Sequence, residues 1–290
     1  MSRATRRHPT PTRGIGAYST EHRCRGIPEF SLARVLLLGS RSDFDLRVAN
    51  LEWHRFQFSS QPTTKPATMA STREILRFLQ TIECEGGIID RLKVYYRPIT
   101  APFRELLSYS WPGARVGDLG CGNGQFALLL ARFCRPSYIF GCEISPRLVA
   151  NARTLLSRHS DVPATIVEYD GVHLPSALGE LDIVFVNDVL HHVPRDRQPG
   201  WLAAVCQAIR PGARLILKDV DGGGALVAFN KLHDLVFAGE IGAEWPIGEA
   251  ERFTRSLGMT QHSRQELRRF CYQHYVLELS RADGAPRVAP

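Results

Sequence analysis

No run in this 290-residue chain approaches the roughly 18 consecutive apolar residues that a membrane span needs. Leu32 to Leu38 is apolar but short, and Arg34 interrupts it. Cys24, Cys84, Cys121, Cys134, Cys142, Cys206 and Cys271 show no C-x-x-C spacing, which argues against a zinc knuckle or a disulfide framework and suits a reduced cytoplasm. No internal repeat is present. The net charge is +7, yet its distribution does not suggest a basic groove, although charges segregated on one face are compatible with it. Residues 1–68 hold eleven Lys or Arg against five Asp or Glu, leaving 25 basic and 24 acidic groups in the rest of the chain. That near-neutral balance makes nucleic acid an unlikely partner. What is present is ample core material, 44% hydrophobic residues with 22% charged, enough for one domain and an extension.

The extension is expected at the N-terminus. Met1 to Arg13 is rich in Arg, Pro and Thr, and Ser59 to Thr68 has linker composition. Ser71 and Glu74 then stand in capping-box spacing ahead of Ile75, Leu76, Phe78 and Leu79. Met69 reads as a natural start, with residues 1–68 dispensable or, as second choice, a targeting leader diluted by Glu21, Glu29, Asp43 and Asp45. Residues 69–114 are expected to be a helical lead-in, Ile75 to Cys84 and Ile88 to Tyr96 around Gly86-Gly87, followed by the main domain over 115–281 and a tail over 282–290.

The most informative segment is Val116-Gly-Asp-Leu-Gly-Cys-Gly-Asn-Gly-Gln125, an apolar strand running into Gly120, Gly122 and Gly124 with Asp118 two residues before the first glycine. A pyrophosphate held on backbone N–H groups would be repelled by that carboxylate, whereas a cofactor bearing an ammonium and a sulfonium would be attracted. S-adenosylmethionine is such a cofactor. A helix from Phe126 to Phe133 and a strand from Tyr138 to Cys142 follow, ending at Glu143, 25 residues beyond Asp118. At that separation a strand-end carboxylate in a βαβ unit accepts from ribose hydroxyls. Ser145-Pro146 opens the next helix. A third strand, Ala164 to Glu168, leads to Asp170-Gly171, where Asp170 is placed to accept from an adenine amino group. A fourth, Leu181 to Val186, runs into Asn187-Asp-Val-Leu-His-His-Val-Pro194. A fifth, Arg214 to Asp219, follows the turn Arg210-Pro-Gly212. A tight glycine turn in an ordinary α/β domain would explain the loop but not the succession of carboxylates. Glu143 and Asp170 could each be a helix-start or turn residue taken alone, and Asp188 a helix N-cap.

Taken in order, these motifs resemble the class I S-adenosylmethionine-dependent methyltransferases, in the broad group that includes quinone-biosynthesis and bacterial small-molecule enzymes. The resemblance covers roughly residues 75 to 280. It implies an α/β fold with a Rossmann-like, seven-stranded, mostly parallel sheet, helices on both faces and a C-terminal antiparallel hairpin, here Thr260 to Glu266 with Tyr272 to Leu279. It implies a cofactor site of Asp118, Gly120, Cys121, Gly122, Gly124, Glu143, Ile144, Asp170, Gly171, Asn187, Asp188 and Val189, with no metal. The order of motifs speaks for fold and cofactor rather than for the acceptor.

The acceptor is expected to be a small molecule methylated on oxygen or carbon. The alternatives are an RNA or protein methyltransferase and a non-catalytic cofactor-binding module. Asn187-Asp-Val-Leu190 departs from the Asn/Asp-Pro-Pro-Tyr/Phe pattern of enzymes that methylate base amino groups. His191 and His192, the residues of this loop whose side-chain type has an unperturbed pKa near ~6.5, are the candidate general bases, although neighbouring residues point in different directions and at least one is expected to be structural. Tyr95, Tyr96 and Arg97, and Asn230, His233 and Trp245 beyond the fifth strand, are candidates for the acceptor pocket. Aromatic packing or a solvated helix face accounts for them equally well.

Overall fold

The computed structural model describes residues 70–82, 97–224, 242–270 and 272–281. All fall within one unit of the chain, Thr64–Pro290. The expected extension over 1–68, the lead-in helix up to Tyr96 with Tyr95, the helix carrying Asn230 and His233, and the tail lie outside the described residues.

The lead-in begins with α1, Thr72–Gln80, held by the expected capping box: the Ser71 hydroxyl accepts from the Glu74 N–H, and the Glu74 carboxylate accepts from the Ser71 N–H at 2.7 Å. Ile75 and Leu79, one turn apart, are its buried stripe. A short α2, Phe103–Leu107, adds Phe103, Leu106 and Leu107 to the same core.

Five strands then alternate with helices. They are β1 (Arg115–Leu119), β2 (Tyr138–Glu143), β3 (Ala164–Glu168), β4 (Ile183–Asn187) and β5 (Arg214–Val220). The main helices between them are α3 (Gln125–Cys134), α4 (Pro146–His159) and α5 (Gln198–Ala208). Every residue of β4, and all but the first of β1, β2 and β5, is buried, because helices cover both faces of a parallel sheet. Ser145 caps α4, its hydroxyl accepting from the Leu148 N–H, with Pro146 in the first turn as its sequence suggests.

The chain ends with α6 (Ile247–Ser256) and the hairpin β6 (Met259–Arg269) and β7 (Tyr272–Arg281). The sheet order is β3-β2-β1-β4-β5-β7-β6. The pairs up to β4–β5 are parallel, while β5–β7 and β6–β7 are antiparallel. This is the expected seven-stranded sheet, with hairpin strands longer than predicted. The added residues are Met259, Leu267 to Arg269, Ser280 and Arg281, and the arginines among them hide the strand ends in the sequence.

Side chains of α1 to α4 fill one face of the sheet, with Phe126 stacked on Phe103 and edge-on to Phe185. Trp201, Leu202 and Val205 of α5 and Ile247 and Ala250 of α6 fill the other. The order reverses between β1 and β4: the chain moves outward through β2 and β3, then returns to β1's other side. In open α/β sheets such a reversal leaves a crevice at the carboxyl ends of the two strands. Among the described residues no helix is long and apolar enough to cross a membrane.

Candidate active site

Two loops meet at that crevice. The first, after β1, holds Gly120, Gly122 and Gly124 at φ of +78°, +55° and +82°, values that favour glycine strongly. The glycines differ in their surroundings. A Cβ on Gly120 would lie 2.5 Å from Val189 Cγ2, and one on Gly124 would lie 2.9–3.0 Å from Cβ and Cα of Ala152. These two positions let β4's loop and α4 pack against the turn. Around Gly122 the space is open, and the nearest atom a Cβ would meet is Arg97 Nη1, at 4.0 Å. Here backbone is left accessible.

Two buried carboxylates flank the loop. Glu143, the last residue of β2, accepts from the Gly122 N–H through Oε2 at 3.0 Å and from the N–H groups of Ile144 and Ser145 through Oε1 at 3.0 and 3.1 Å. It ties the glycine loop to the start of α4. With about four lone-pair positions on a carboxylate, these three bonds leave room for one further donor. Asp118 is different: it is 2% exposed, and its Oδ2 is buried with no hydrogen-bond partner. Burial pushes its pKa up to about 7, against the pull of the Arg97 guanidinium and with a further push from Glu143. A buried acceptor in this state fits a cationic donor group.

The rim near Glu143 is apolar. Ile144 and Val172 are each 59% exposed, and a Cβ on Gly171 would lie 3.5 Å from Ile144 Cγ2. Asp170 is exposed and turned on its own loop: Oδ1 accepts from the N–H groups of Val172 and His173, and Oδ2 lies 2.5 Å from His173 Nδ1. Those bonds, with His173 foremost, hold its pKa well below the carboxylate range. Cys121 and Cys142 are free and buried, and burial pushes the Cys142 thiol up to about 12 and Cys121 higher still. Neither is a nucleophile.

The second loop, after β4, contains Asn187 to His192. Asn187 is buried with Oδ1 unpartnered. Asp188 is no helix N-cap: at φ +57° it forms an ion pair with the fully buried Lys218 and lies 3.8 Å from the Arg97 guanidinium. Burial would raise its pKa, but Lys218, His274, His191 and Arg97 outweigh that and hold it well below the usual range. Burial lowers the Lys218 pKa while Asp188 opposes the shift. Val189 packs on Gly120. A short 3₁₀ turn, Leu190–His192, then separates the histidines. His191 is buried, with Nδ1 2.5 Å from Asp219 Oδ1 and its N–H donating to Asp219 Oδ2, whereas His192 is exposed and its ring centre lies 4.0 Å from that of His191.

Asp188, His191 and Asp219 bring ligand-type atoms within 4.8 Å of one another, but the Lys218 ammonium already meets this charge at Asp188. Sequence reasoning passed over Lys218, Asp219 and His274. A signal existed in Leu215-Ile-Leu-Lys-Asp-Val220, where two adjacent charges interrupt a strand that otherwise reads as wholly buried. Trp245, expected at a pocket or on a solvated helix, is 3% exposed and packs edge-on against Phe253.

With this geometry in view, residues 116–212 match a family described as a methyltransferase domain. A 27-O-demethylrifamycin SV methyltransferase from Amycolatopsis mediterranei is 33% identical over 110 residues, 37% of this chain and 39% of that protein. A ribosomal protein L11 methyltransferase from Burkholderia vietnamiensis is 36% identical over 112 residues, 38% of this chain and 33% of that protein. The match thus spans a third to two fifths of these relatives. Among solved structures, magnesium protoporphyrin IX methyltransferase from Synechocystis, with bound S-adenosylhomocysteine, aligns at a TM-score of 0.54 and 18% identity, covering 74% of this chain and 96% of that one. That likeness shows the fold.

Proposed function

We propose that this chain, whose residues 116–212 match the methyltransferase domain family, is an S-adenosylmethionine-dependent methyltransferase acting on a small-molecule acceptor. The observation that carries the reading is the buried, unpartnered Oδ2 of Asp118 at the topological switch, beside a glycine loop with open space at Gly122. An ammonium donor satisfies that oxygen without placing a second negative charge beside it. Glu143 retains capacity for a ribose hydroxyl, and the exposed side chains of Ile144 and Val172 offer an apolar rim to a flat base. When bound, the cofactor supplies an electrophilic methyl group on a sulfonium, and transfer requires acceptor, methyl carbon and sulfur to be collinear with water kept out.

The chain's own part is positioning and proton removal. His191 is the stronger of the two histidine candidates, because Asp219 holds its ring in one orientation through Nδ1. An acceptor that is already anionic needs positioning alone.

The test is to incubate the protein with methyl-labelled S-adenosylmethionine and, separately, the low-molecular-weight fraction of a cell extract, total RNA and total protein. Label is expected in the first. Label confined to RNA or protein would move the acceptor to that class, and cofactor binding with no transfer to any fraction would favour the binding module.

A further inference from the structure

We infer that His274 recognises the methyl acceptor, its Nδ1 lone pair receiving a hydrogen bond from a neutral hydroxyl that the acceptor carries in addition to its reacting group. The inference rests on the small-molecule reading above and names the kind of molecule. His274 stands on β7 opposite Val220, the last residue of β5. Ile216 and Val276 belong to the core on the α1–α4 face, and the alternation of strand side chains puts Lys218 and His274 on that face as well. Asn187, opposite Lys218 and two residues beyond Phe185, continues the row to β4. The row starts at one wall of the crevice and leads away from the glycine loop toward β7.

Two atoms of this row, Asn187 Oδ1 and His274 Nδ1, are buried without a hydrogen-bond partner. Lys218, between them, is paired with Asp188. The His274 ring is held by Nε2, 2.7 Å from the Thr100 carbonyl oxygen. A carbonyl only accepts, so Nε2 carries the proton, and with burial keeping the ring neutral Nδ1 presents a lone pair. A buried lone pair is expensive to leave unmet, and this one asks for a donor. The surrounding charge selects which. An ammonium would stand near Lys218, whose charge already acts on this ring, and a carboxylate would set lone pair against lone pair. A neutral hydroxyl meets neither objection. An ordered water is the other source of an O–H, and the experiment separates the two.

The full chain would be incubated with methyl-labelled S-adenosylmethionine and the low-molecular-weight fraction of a cell extract, and the labelled product identified by mass spectrometry. The corresponding acceptor is then compared with analogues in which each of its other hydroxyls is replaced by hydrogen. Two variants divide the roles of the ring. In His274→Gln the amide nitrogen reaches where Nε2 stands and keeps the Thr100 bond, whereas His274→Asn sets its amide oxygen near Nδ1 and gives that bond up. His274→Gln is expected to raise KM for the acceptor about 10–100-fold, the loss of one buried hydrogen bond, with kcat within a few-fold and affinity for S-adenosylhomocysteine unchanged. His274→Asn should keep KM within a few-fold while melting at a lower temperature. One deoxy analogue should bind wild type weakly and be indifferent to His274→Gln. Unchanged KM in folded His274→Gln would overturn the inference. So would equal losses in both variants, which would mark the ring as structural, and a His274→Gln defect that persists with every deoxy analogue, which would give the lone pair to a water. A labelled product with no further hydroxyl would overturn it too, whereas no label in any small molecule would reject the reading on which it rests.

Discussion

His191 Nδ1 and Asp219 Oδ1 lie 2.5 Å apart in the interior, joining the loop after β4 to the end of β5. The same carboxylate receives the N–H groups of His191 and Val220, so the group that meets the imidazole is itself held in place. Asp219→Asn keeps an acceptor but removes the charge that stabilises a protonated ring. Turnover is expected to fall about 10²–10⁴-fold with cofactor affinity unchanged, the range lost when general-base help is withdrawn. His192→Gln should stay within a few-fold of wild type. Steady-state rates across pH 6–9 check both, and full activity in His191→Gln as well as in His192→Gln would remove the base from this loop.

On the proposed reading, Asp118 links cofactor binding to pH. Because its carboxyl is raised to about 7 by burial, binding a cation there releases a proton below that value. Affinity for S-adenosylhomocysteine should therefore rise between pH 6 and 8, with proton release that differs measurably among buffers of different ionisation enthalpy. In Asp118→Asn both the pH dependence and the release should vanish and affinity should fall at least about tenfold, the loss of a charge-assisted bond. The ligand-free protein carries the complementary cost: a raised acid binds more protons folded than unfolded. Stability therefore falls as pH rises from the ordinary Asp value to about 7.

His274 acts over an overlapping pH range with the opposite sign. Burial lowers its pKa to about 4, Lys218 adds to this, and Nε2 lies 2.7 Å from the Thr100 carbonyl, which fixes the neutral ring with its proton on Nε2. The unfolded chain then binds more protons between about 4 and the ordinary histidine value, so stability is lost as pH falls through that window. Because Asp118 contributes with the opposite sign over these pH values, the test is the difference between proteins: from pH 7 to 4.5 the melting temperature of wild type should fall relative to that of His274→Gln.

Gly124→Ala tests the packing of the cofactor loop. A left-handed φ of +82° and a Cβ within 3.0 Å of the Ala152 backbone give the substitution no relaxed solution. Destabilisation of about 1–3 kcal/mol is expected from the strain, read by urea denaturation. A neutral effect would mean that α4 shifts freely against the loop.

The sequence carried the fold well where its signals were local. The capping box at Ser71 and Glu74, Ser145-Pro146 at the head of α4, and the apolar strands between glycine-rich turns each report a conformation that neighbouring residues enforce. Asp118 and Glu143 were legible for a related reason, since strand ends in a βαβ unit converge on one crevice. The rest depended on contacts between distant segments. Lys218 and Asp219 are adjacent in the chain yet serve different partners, Asp188 and His191, and only the pairing of β4 with β5 brings these together. His274 reaches Thr100 across 174 positions. The local bonds that Asp170 makes to Val172 and His173 were not read from the sequence either, and they reflect the tendency of Asp to satisfy nearby backbone N–H groups.

The most direct test of the account is calorimetric titration of the purified protein with S-adenosylhomocysteine, alongside Glu143→Ala. The account predicts one site per chain, weakened by about 1–3 kcal/mol in the variant through loss of charge-assisted hydrogen bonds, with the variant still folded by circular dichroism. No heat of binding in the wild type, or unchanged affinity in folded Glu143→Ala, would contradict it.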